Sequence, residues 1–358
     1  MPFSQSAEKS HTGESLSGHV GKPQTRARAR KIGHEVSFFM KTITLRGRTE
    51  TLELTRFIVG RNAVEDPARR PLSFSCFDRY LAAGGNCFDT ARRYGAGETE
   101  RYLGQYLRGK PRDSFRVCTK CGHHDAGVPP RGRLSRDILT AELETSLRLL
   151  GLDCVDVLFL HRDDIYRPVE EIMPILADFV KAGKARFLGA SNWTAGRIAE
   201  ANAFAAENGL PGFGVSQICW SLALSTSAAS GDLTYVVMDT AEYLWYRENS
   251  FPVMAWSPSA HGYLTKLTGG APISRQLQRR YGYLGENADR AGRVKALAQD
   301  LGAPAGAVVL AYLMSNGAFP TAAVGTFSTQ SQFEDALTAE NLALTEEQRA
   351  YLTGGLTL

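Results

Sequence analysis

A small set of polar residues stands out by what each one follows. Asp89, Lys120 and His161 come at the ends of the apolar runs "NCFDT", "FRVCTK" and "CVDVLFLH". Ser191 and Asn192 end "ARFLGASN", Gln217 lies in "GVSQICW", and Ser257 ends "PVMAWS". Tyr94 follows Asp89 closely in "GGNCFDTARRYGAGETE". A phenol, whose ordinary pKa is about 10, is a sluggish acid at neutral pH unless a cation lowers it. Lys120 is the candidate cation, and Asp89 the carboxylate that would keep a lysine charged in a partly dry site. His161 could then hydrogen-bond the oxygen of a bound carbonyl and fix its direction. Taken singly, each has a better structural reading, Asp89 as a turn cap, Lys120 as a solvated strand end and His161 as a surface histidine beside the carboxylates of "HRDD". Their conjunction suits them to protonating an alkoxide as it forms.

Such a conjunction needs elements that bring strand ends together. Eight short apolar runs ("RFIVG", "NCFDT", "FRVCTK", "CVDVLFLH", "ARFLGAS", "GVSQICW", "PVMAWS", "TAAVG") are separated mainly by stretches with helical spacing. Repeated strand–helix alternation predicts a (β/α)8 TIM barrel rather than an open doubly wound sheet, and working residues gather at the C-terminal strand ends of such barrels. "FIVGRNAVEDP" lacks the G-x-G-x-x-G turn that a doubly wound dinucleotide fold would show. The alternating "KTITLRGRTETLEL" predicts an N-terminal β-hairpin ahead of the barrel. "SRDILTAELETSLRLLG" predicts a helix capped by Ser135 or Asp137 and stopped by Gly151, and Pro174 is expected near the opening of the next helix or at a bend in it. "TAEYLWYRE" reads as an amphipathic helix whose Tyr243, Trp245 and Tyr246 serve packing rather than a pocket.

The chain has 358 residues, 43% hydrophobic and 22% charged, with a formal charge of +4. Residues 1–39 carry six Lys and Arg against three Glu, which leaves the remainder at +1 and speaks against a phosphate-backbone binder. They read as a disordered basic extension, its "RARARK" run the only candidate nucleic-acid contact, with residues 40–358 as the folded domain. No secretory signal or long apolar run is apparent, so a cytoplasmic protein without membrane or nucleic-acid partners is expected, its oligomeric state open. Six dispersed cysteines predict reduced thiols. The Cys118-x-x-Cys121 pair lies on a strand, where residues three apart face opposite ways, and adjacent His123 and His124 make an awkward metal site; no metal is expected.

The same residues, with "AAGGNCFDTARRYG", "LFLHRDD", "FLGASNW" and "AWSP", resemble the aldo-keto reductase family over about residues 41–350. The resemblance implies a (β/α)8 barrel that binds NADPH, less often NADH, in extended form without a Rossmann turn and reduces an aldehyde or ketone, a small-molecule carbonyl substrate, to an alcohol. It implies Tyr94 as general acid, Lys120 as the residue that tunes it, Asp89 as the partner of Lys120 and His161 as the carbonyl-orienting group. It further implies Ser191, Asn192 and Gln217 on the nicotinamide carboxamide and Trp220 stacked on the nicotinamide ring. Ser257, Pro258, Gly262 and Leu264 fall at the pyrophosphate, Gly325 and Thr326 at the adenosine phosphate, and Gln332 and Asp335 near the adenine. The "TFSTQSQ" that follows Gly325 lacks the basic residue a 2′-phosphate wants, which brings NADH level with NADPH. The loops "CGHHDAGVPPRGRLS" and "ICWSLALSTSAASGDLTYVVMDTAEYLWYRENS" are expected to shape the substrate side. Two other readings compete: a Schiff-base aldolase using Lys120, and a cofactor-binding regulatory subunit of the same family with little turnover.

Overall fold

A strand's side chains alternate between its two sides, and in this chain the alternation sorts residues into two separate cores. The computed structural model describes residues 40–124 and 133–355. The basic extension expected for residues 1–39, with its "RARARK" run, lies outside the described residues. A hairpin comes first: β1 (Thr42–Arg46) and β2 (Thr51–Thr55) pair antiparallel, with Ile43 opposite Leu54 and Leu45 opposite Leu52. Strands and helices then alternate through β3 (Phe57–Val59), α1 (Arg70–Ala82), β4 (Cys87–Asp89), α2 (Glu98–Leu107), β5 (Arg116–Cys121) and α3 (Arg136–Leu150). They continue through β6 (Val155–Leu160), α4 (Val169–Lys181), β7 (Ala185–Ser191), α5 (Ala195–Glu207) and β8 (Phe213–Gln217). Two helices, α6 (Ser227–Ser230) and α7 (Thr240–Asn249), lie between β8 and β9 (Val253–Trp256). Four more, α8 (Tyr263–Gly269), α9 (Arg275–Tyr281), α10 (Glu286–Leu301) and α11 (Ala305–Met314), lead to β10 (Thr321–Gly325), and α12 (Gln330–Asn341) and α13 (Glu346–Thr353) follow.

Strands β3 to β10 pair in chain order, all parallel, and β10 closes on β3. This is the eight-stranded barrel that the apolar runs predict, and the expected hairpin precedes it. The inward core contains Ile58, Cys87, Cys118, Val157, Phe159, Val215, Met254 and Val324, together with Ile43, Leu45, Leu52 and Leu54 of the hairpin, whose apolar face therefore completes the barrel interior. The outward core, under the helices, takes the alternate residues, among them Val59, Phe88, Val117, Cys121, Leu158 and Leu188. Cys118 faces in and Cys121 faces out, as the strand period requires. All six cysteines are free.

Local signals behave mostly as their chemistry dictates. Gly151 stops α3 in the left-handed region at φ 68°, while Ser135 holds the N-cap position without a side-chain cap hydrogen bond. Pro174 sits inside α4 rather than in its first turn. Tyr243 and Tyr246 are buried from α7, in line with a packing role. Among the described residues, no single helix is long and apolar enough to cross a membrane.

Gly189 on β7 shows how tightly the interior is filled, because a Cβ there would stand 2.3 Å from the Phe159 ring on β6. Gly189→Ala should therefore cost about 1–3 kcal/mol through overpacking, read as a lower urea midpoint at unchanged m-value. An unchanged midpoint would show that Phe159 has room to move aside.

Candidate active site at the barrel mouth

The inward alternation that fills the barrel also selects its mouth. Two residues beyond the apolar layer, the same inward side of each strand carries Asp89 after Cys87, Lys120 after Cys118 and His161 after Phe159. Ser191, Gln217 and Trp256 occupy the corresponding positions after Gly189, Val215 and Met254. Polar groups thus form one ring directly above an apolar floor.

Lys120 and Asp89 are 1% and 4% exposed. Lys120 Nζ donates to Asp89 Oδ2 at 2.6 Å and to the Thr90 carbonyl at 2.9 Å. Asp89 Oδ1 accepts from Gln217 Nε2 at 2.9 Å, so both carboxylate oxygens are held. Burial works against the lysine charge, but Asp89 and then Tyr94 outweigh it and hold the Lys120 pKa above its ordinary value. The ammonium lies 5.0 Å from the centroid of the Tyr94 ring. Tyr94 opens a short turn in which Gly95, Ala96 and Gly97 are all left-handed, which lets the chain reverse from the mouth directly into α2.

His161 stands edge-on to Tyr94, ring centroids 5.7 Å apart, and edge-on to His123 at 4.7 Å. Its Nδ1 is buried without a hydrogen-bond partner among the described residues. Burial, followed by the charges of Lys120 and Arg162, pushes its pKa well below that of an ordinary histidine, so the ring is neutral at neutral pH. Arg162 is itself buried and braced: it donates to the His161 carbonyl at 2.8 Å and to Thr234 Oγ1 at 2.9 Å, and pairs with Asp232 at 3.5 Å. Residues 232–234 of the long connection after β8 are thereby tied to the end of β6.

The remaining expected positions divide. Asn192, left-handed at φ 57°, donates to Ser191 Oγ at 3.1 Å and accepts from Val236 N at 3.4 Å, so the pair lies at the mouth. Gln217 is there too, with one of its two amide N–H groups committed to Asp89. Ser257 (φ 54°), Ala260 (φ 50°), His261 (φ 54°) and Gly262 (φ 75°) make a run rich in left-handed backbone after β9, with Ser257 Oγ 3.2 Å from His261 Nε2. Pro258 is buried, and so is Leu264, whose side chain packs in the outer core. Gly325 ends β10 against Phe57, Thr326 is exposed, and Gln332 Oε1 accepts from Ser328 N at 2.8 Å at the start of α12.

Two expectations need correcting. Trp220 is 3% exposed and packs on Phe319 (5.6 Å), Tyr243 (6.0 Å) and Tyr312 (6.4 Å) in the helix-side core, with no face open for a nicotinamide ring. The aromatic at the mouth is Trp256, half-buried at the end of β9, with Tyr235 edge-on at 4.8 Å and its Nε1 unpartnered among the described residues. Its signal in the sequence is the strand period, which sets it two residues after Met254 on the same side of β9, but it is not polar. Asp335 turns from the mouth toward α11, its Oδ2 2.4 Å from where a Cβ on Gly306 would stand, because α12 faces the core with Phe333, Ala336 and Leu337. A guanidinium does reach the loop after β10 from elsewhere in the chain: Arg69 Nη2 donates to the Phe327 carbonyl at 3.4 Å.

The model of the Aldo/keto reductase family matches residues 57–355. An aldo-keto reductase of Fusarium vanettenii is 29% identical over 324 residues, 79% of this chain and 80% of that protein. The aldo-keto reductase AMT2 of Alternaria alternata is 28% identical over 309 residues, 75% and 77% of the two chains. Norsolorinic acid reductase A of Aspergillus parasiticus is 35% identical over 159 residues, 42% of this chain; the match spans only 41% of the length of that reductase.

Because the folded-state pKa of His161 is depressed, the unfolded chain binds the extra proton first as pH falls below about 6.5, and stability is lost in that window. Relative to His161→Gln, in which the other titrating groups cancel, the wild-type protein should lose unfolding free energy between pH 7.5 and 5, by at most about 1.4 kcal/mol for each pH unit below 6.5. Urea titrations at both pH values test this, and a pH-independent difference would mean that His161 is not held neutral.

Proposed function

The chain belongs to the aldo/keto reductase family, and on that premise we propose that it is an oxidoreductase that reduces an aldehyde or ketone to an alcohol, with Tyr94 as the proton donor. The observation that carries the reading is the buried Lys120–Asp89 pair beneath the Tyr94 ring, beside a neutral His161. A nicotinamide cofactor, NADPH with NADH as the alternative, would supply hydride. The fit is supported by half-buried Trp256, a flat surface at the end of β9, by Ser191 and Asn192 at the end of β7, and by the left-handed run from Ser257 to Gly262, whose backbone suits an anion.

The protein's own part follows from charge. His161, neutral, donates a hydrogen bond to the carbonyl oxygen and aims it at Tyr94. As negative charge grows on that oxygen, Tyr94 passes it the phenolic proton. The phenolate left behind faces the Lys120 ammonium, which Asp89 and the Thr90 carbonyl hold in place. The floor of apolar side chains below excludes water from this exchange.

Cofactor choice turns on the 2′-phosphate. The segment after Gly325 has no basic residue of its own, but Arg69 reaches the Phe327 carbonyl, and a guanidinium there supports NADPH. A cytoplasmic protein acting on a small carbonyl compound is the setting that accords with this chemistry.

Tyr94→Phe should lower kcat by about 10²–10⁴-fold while leaving nucleotide binding within a factor of about two, as measured by steady-state rates and fluorescence titration. Normal turnover in this variant would sink the assignment, and tight nucleotide binding with no turnover in the wild type would favour a regulatory subunit. Arg69→Ala should weaken NADPH binding about tenfold or more and leave NADH nearly unchanged. Equal losses for both nucleotides would remove Arg69 from that role.

A further inference from the structure

Arg92, Arg93 and Ala96, which flank Tyr94 in the chain, line a cavity of about 500 Å³, within the range of small-molecule pockets. His123, whose ring stands edge-on to that of His161 at 4.7 Å, belongs to its wall and so links the lining of the cavity to the site described above. Its opposite wall is one face of α3, with Ile138 and Ala141 giving an apolar surface.

The charges on its rim are unevenly matched. Glu142 is already compensated, for it accepts from Gly122 N at 2.8 Å and pairs with Arg133 at 3.4 Å. Asp137 is the other lining carboxylate, in the first turn of α3 where the helix dipole favours it. Against it stand Arg92 and Arg93, neither of which makes an ion pair among the described residues. The buried Glu100 feels Arg92 electrostatically, but its hydrogen bond is with Thr119. His123 adds no charge at neutral pH, since burial lowers its pKa to about 4.

Arg92 is also held in place. Its backbone N–H donates to the Lys120 carbonyl at 3.1 Å, which fixes it at the mouth. Its guanidinium lies over Gly97, where a Cβ would come within 2.3 Å of Nη1. Gly97, at φ 97°, thus serves two ends: it allows the turn after Tyr94 and leaves space for the Arg92 guanidinium between that turn and Leu149 of α3.

We propose that this cavity binds a carboxylate carried on the far end of the substrate, so that the carbonyl compound reduced here is an oxo acid whose acid group is held by Arg92 and Arg93. Guanidinium forks match a planar carboxylate in geometry as well as charge. The apolar face of α3 takes the carbon skeleton between the two ends, with the carbonyl directed to Tyr94 and His161. The inference rests on the reductase reading, and it names the substrate class for that same site.

The test compares 4-formylbenzoate with benzaldehyde and 4-methylbenzaldehyde, using the full chain and NADPH. The acid is expected to have a kcat/KM at least about tenfold higher than either neutral aldehyde, mostly through KM. In the doubly substituted Arg92→Met, Arg93→Met protein, the ratio of kcat/KM for acid over neutral aldehyde should fall by about tenfold or more. Turnover of all three aldehydes without preference for the acid, or a preference that survives in the double variant, overturns the inference and leaves the reductase assignment standing. If no aldehyde is reduced with NADPH or NADH, calorimetric titration with 4-formylbenzoate decides the cavity alone, and the reductase assignment is left to the Tyr94→Phe comparison. Binding by the wild type that the double variant loses supports the carboxylate site, and absence of binding overturns it.

Discussion

The rest of the site depends on a buried ion pair. Taking Lys120 and Asp89 out of water costs several kcal/mol for each ion, and their mutual attraction repays this only where the geometry is good and the remaining lone pairs and protons are satisfied. Here Asp89 uses one oxygen for Lys120 and the other for Gln217, while Lys120 has the Thr90 carbonyl as a second acceptor. These partners come from β4, its exit, β5 and β8. Gln217 and Asp89 are 128 positions apart in the chain, and only closure of the barrel brings them within hydrogen-bonding distance. Removing either charge would leave its partner unmatched in a dry setting, a loss of about 3–5 kcal/mol in comparable pairs. The pair therefore commits the upper end of the barrel to one arrangement, in which Tyr94 lies above the ammonium.

How far the sequence revealed this follows from what kind of information each residue carries. Barrel class, strand number and the hairpin rest on periodicity, which is local, and the structure agrees with all three. The convergence of Asp89, Lys120, His161 and Gln217 was legible for the same reason, because each ends or lies in an apolar run. Two-residue alternation reaches one position further, to the aromatic at the end of β9. Trp256 stands on the inward side two positions after Met254, whereas Trp220 lies beyond the end of β8, where the strand period no longer assigns a side. Asp335 could not be settled from its helix alone, since its direction depends on how α12 lies against α11. Arg69 was hidden for a related reason: 258 residues separate it from the carbonyl it meets, and no local pattern joins them. The pairing of Gln217 with Asp89 was equally out of reach, because a glutamine at a strand end has several partners open to it until the barrel selects one.

Burial first, and then the cations around the mouth, explain why it holds a neutral histidine. Lys120 and Arg162 both disfavour a proton on His161, and burial acts in the same direction. Arg162 keeps its own place through the His161 carbonyl, Thr234 and Asp232, so its position does not depend on the imidazole ring. Arg61 lies 5.6 Å from the Tyr94 ring and is paired with Glu65. A field that repels a proton from imidazole is also one that stabilises negative charge, whether on a carbonyl oxygen accepting hydride or on a phenol that has given up its proton. One set of fixed charges thus favours both halves of the reaction, the neutral hydrogen-bond donor at the start and the anion at the end. Arg92 and Arg93 extend the same field outward along the cavity. A substrate whose acid group lies at that outer end would meet favourable charge there before its carbonyl reaches Tyr94, and the cations that orient it are separate from the lysine that serves the chemistry.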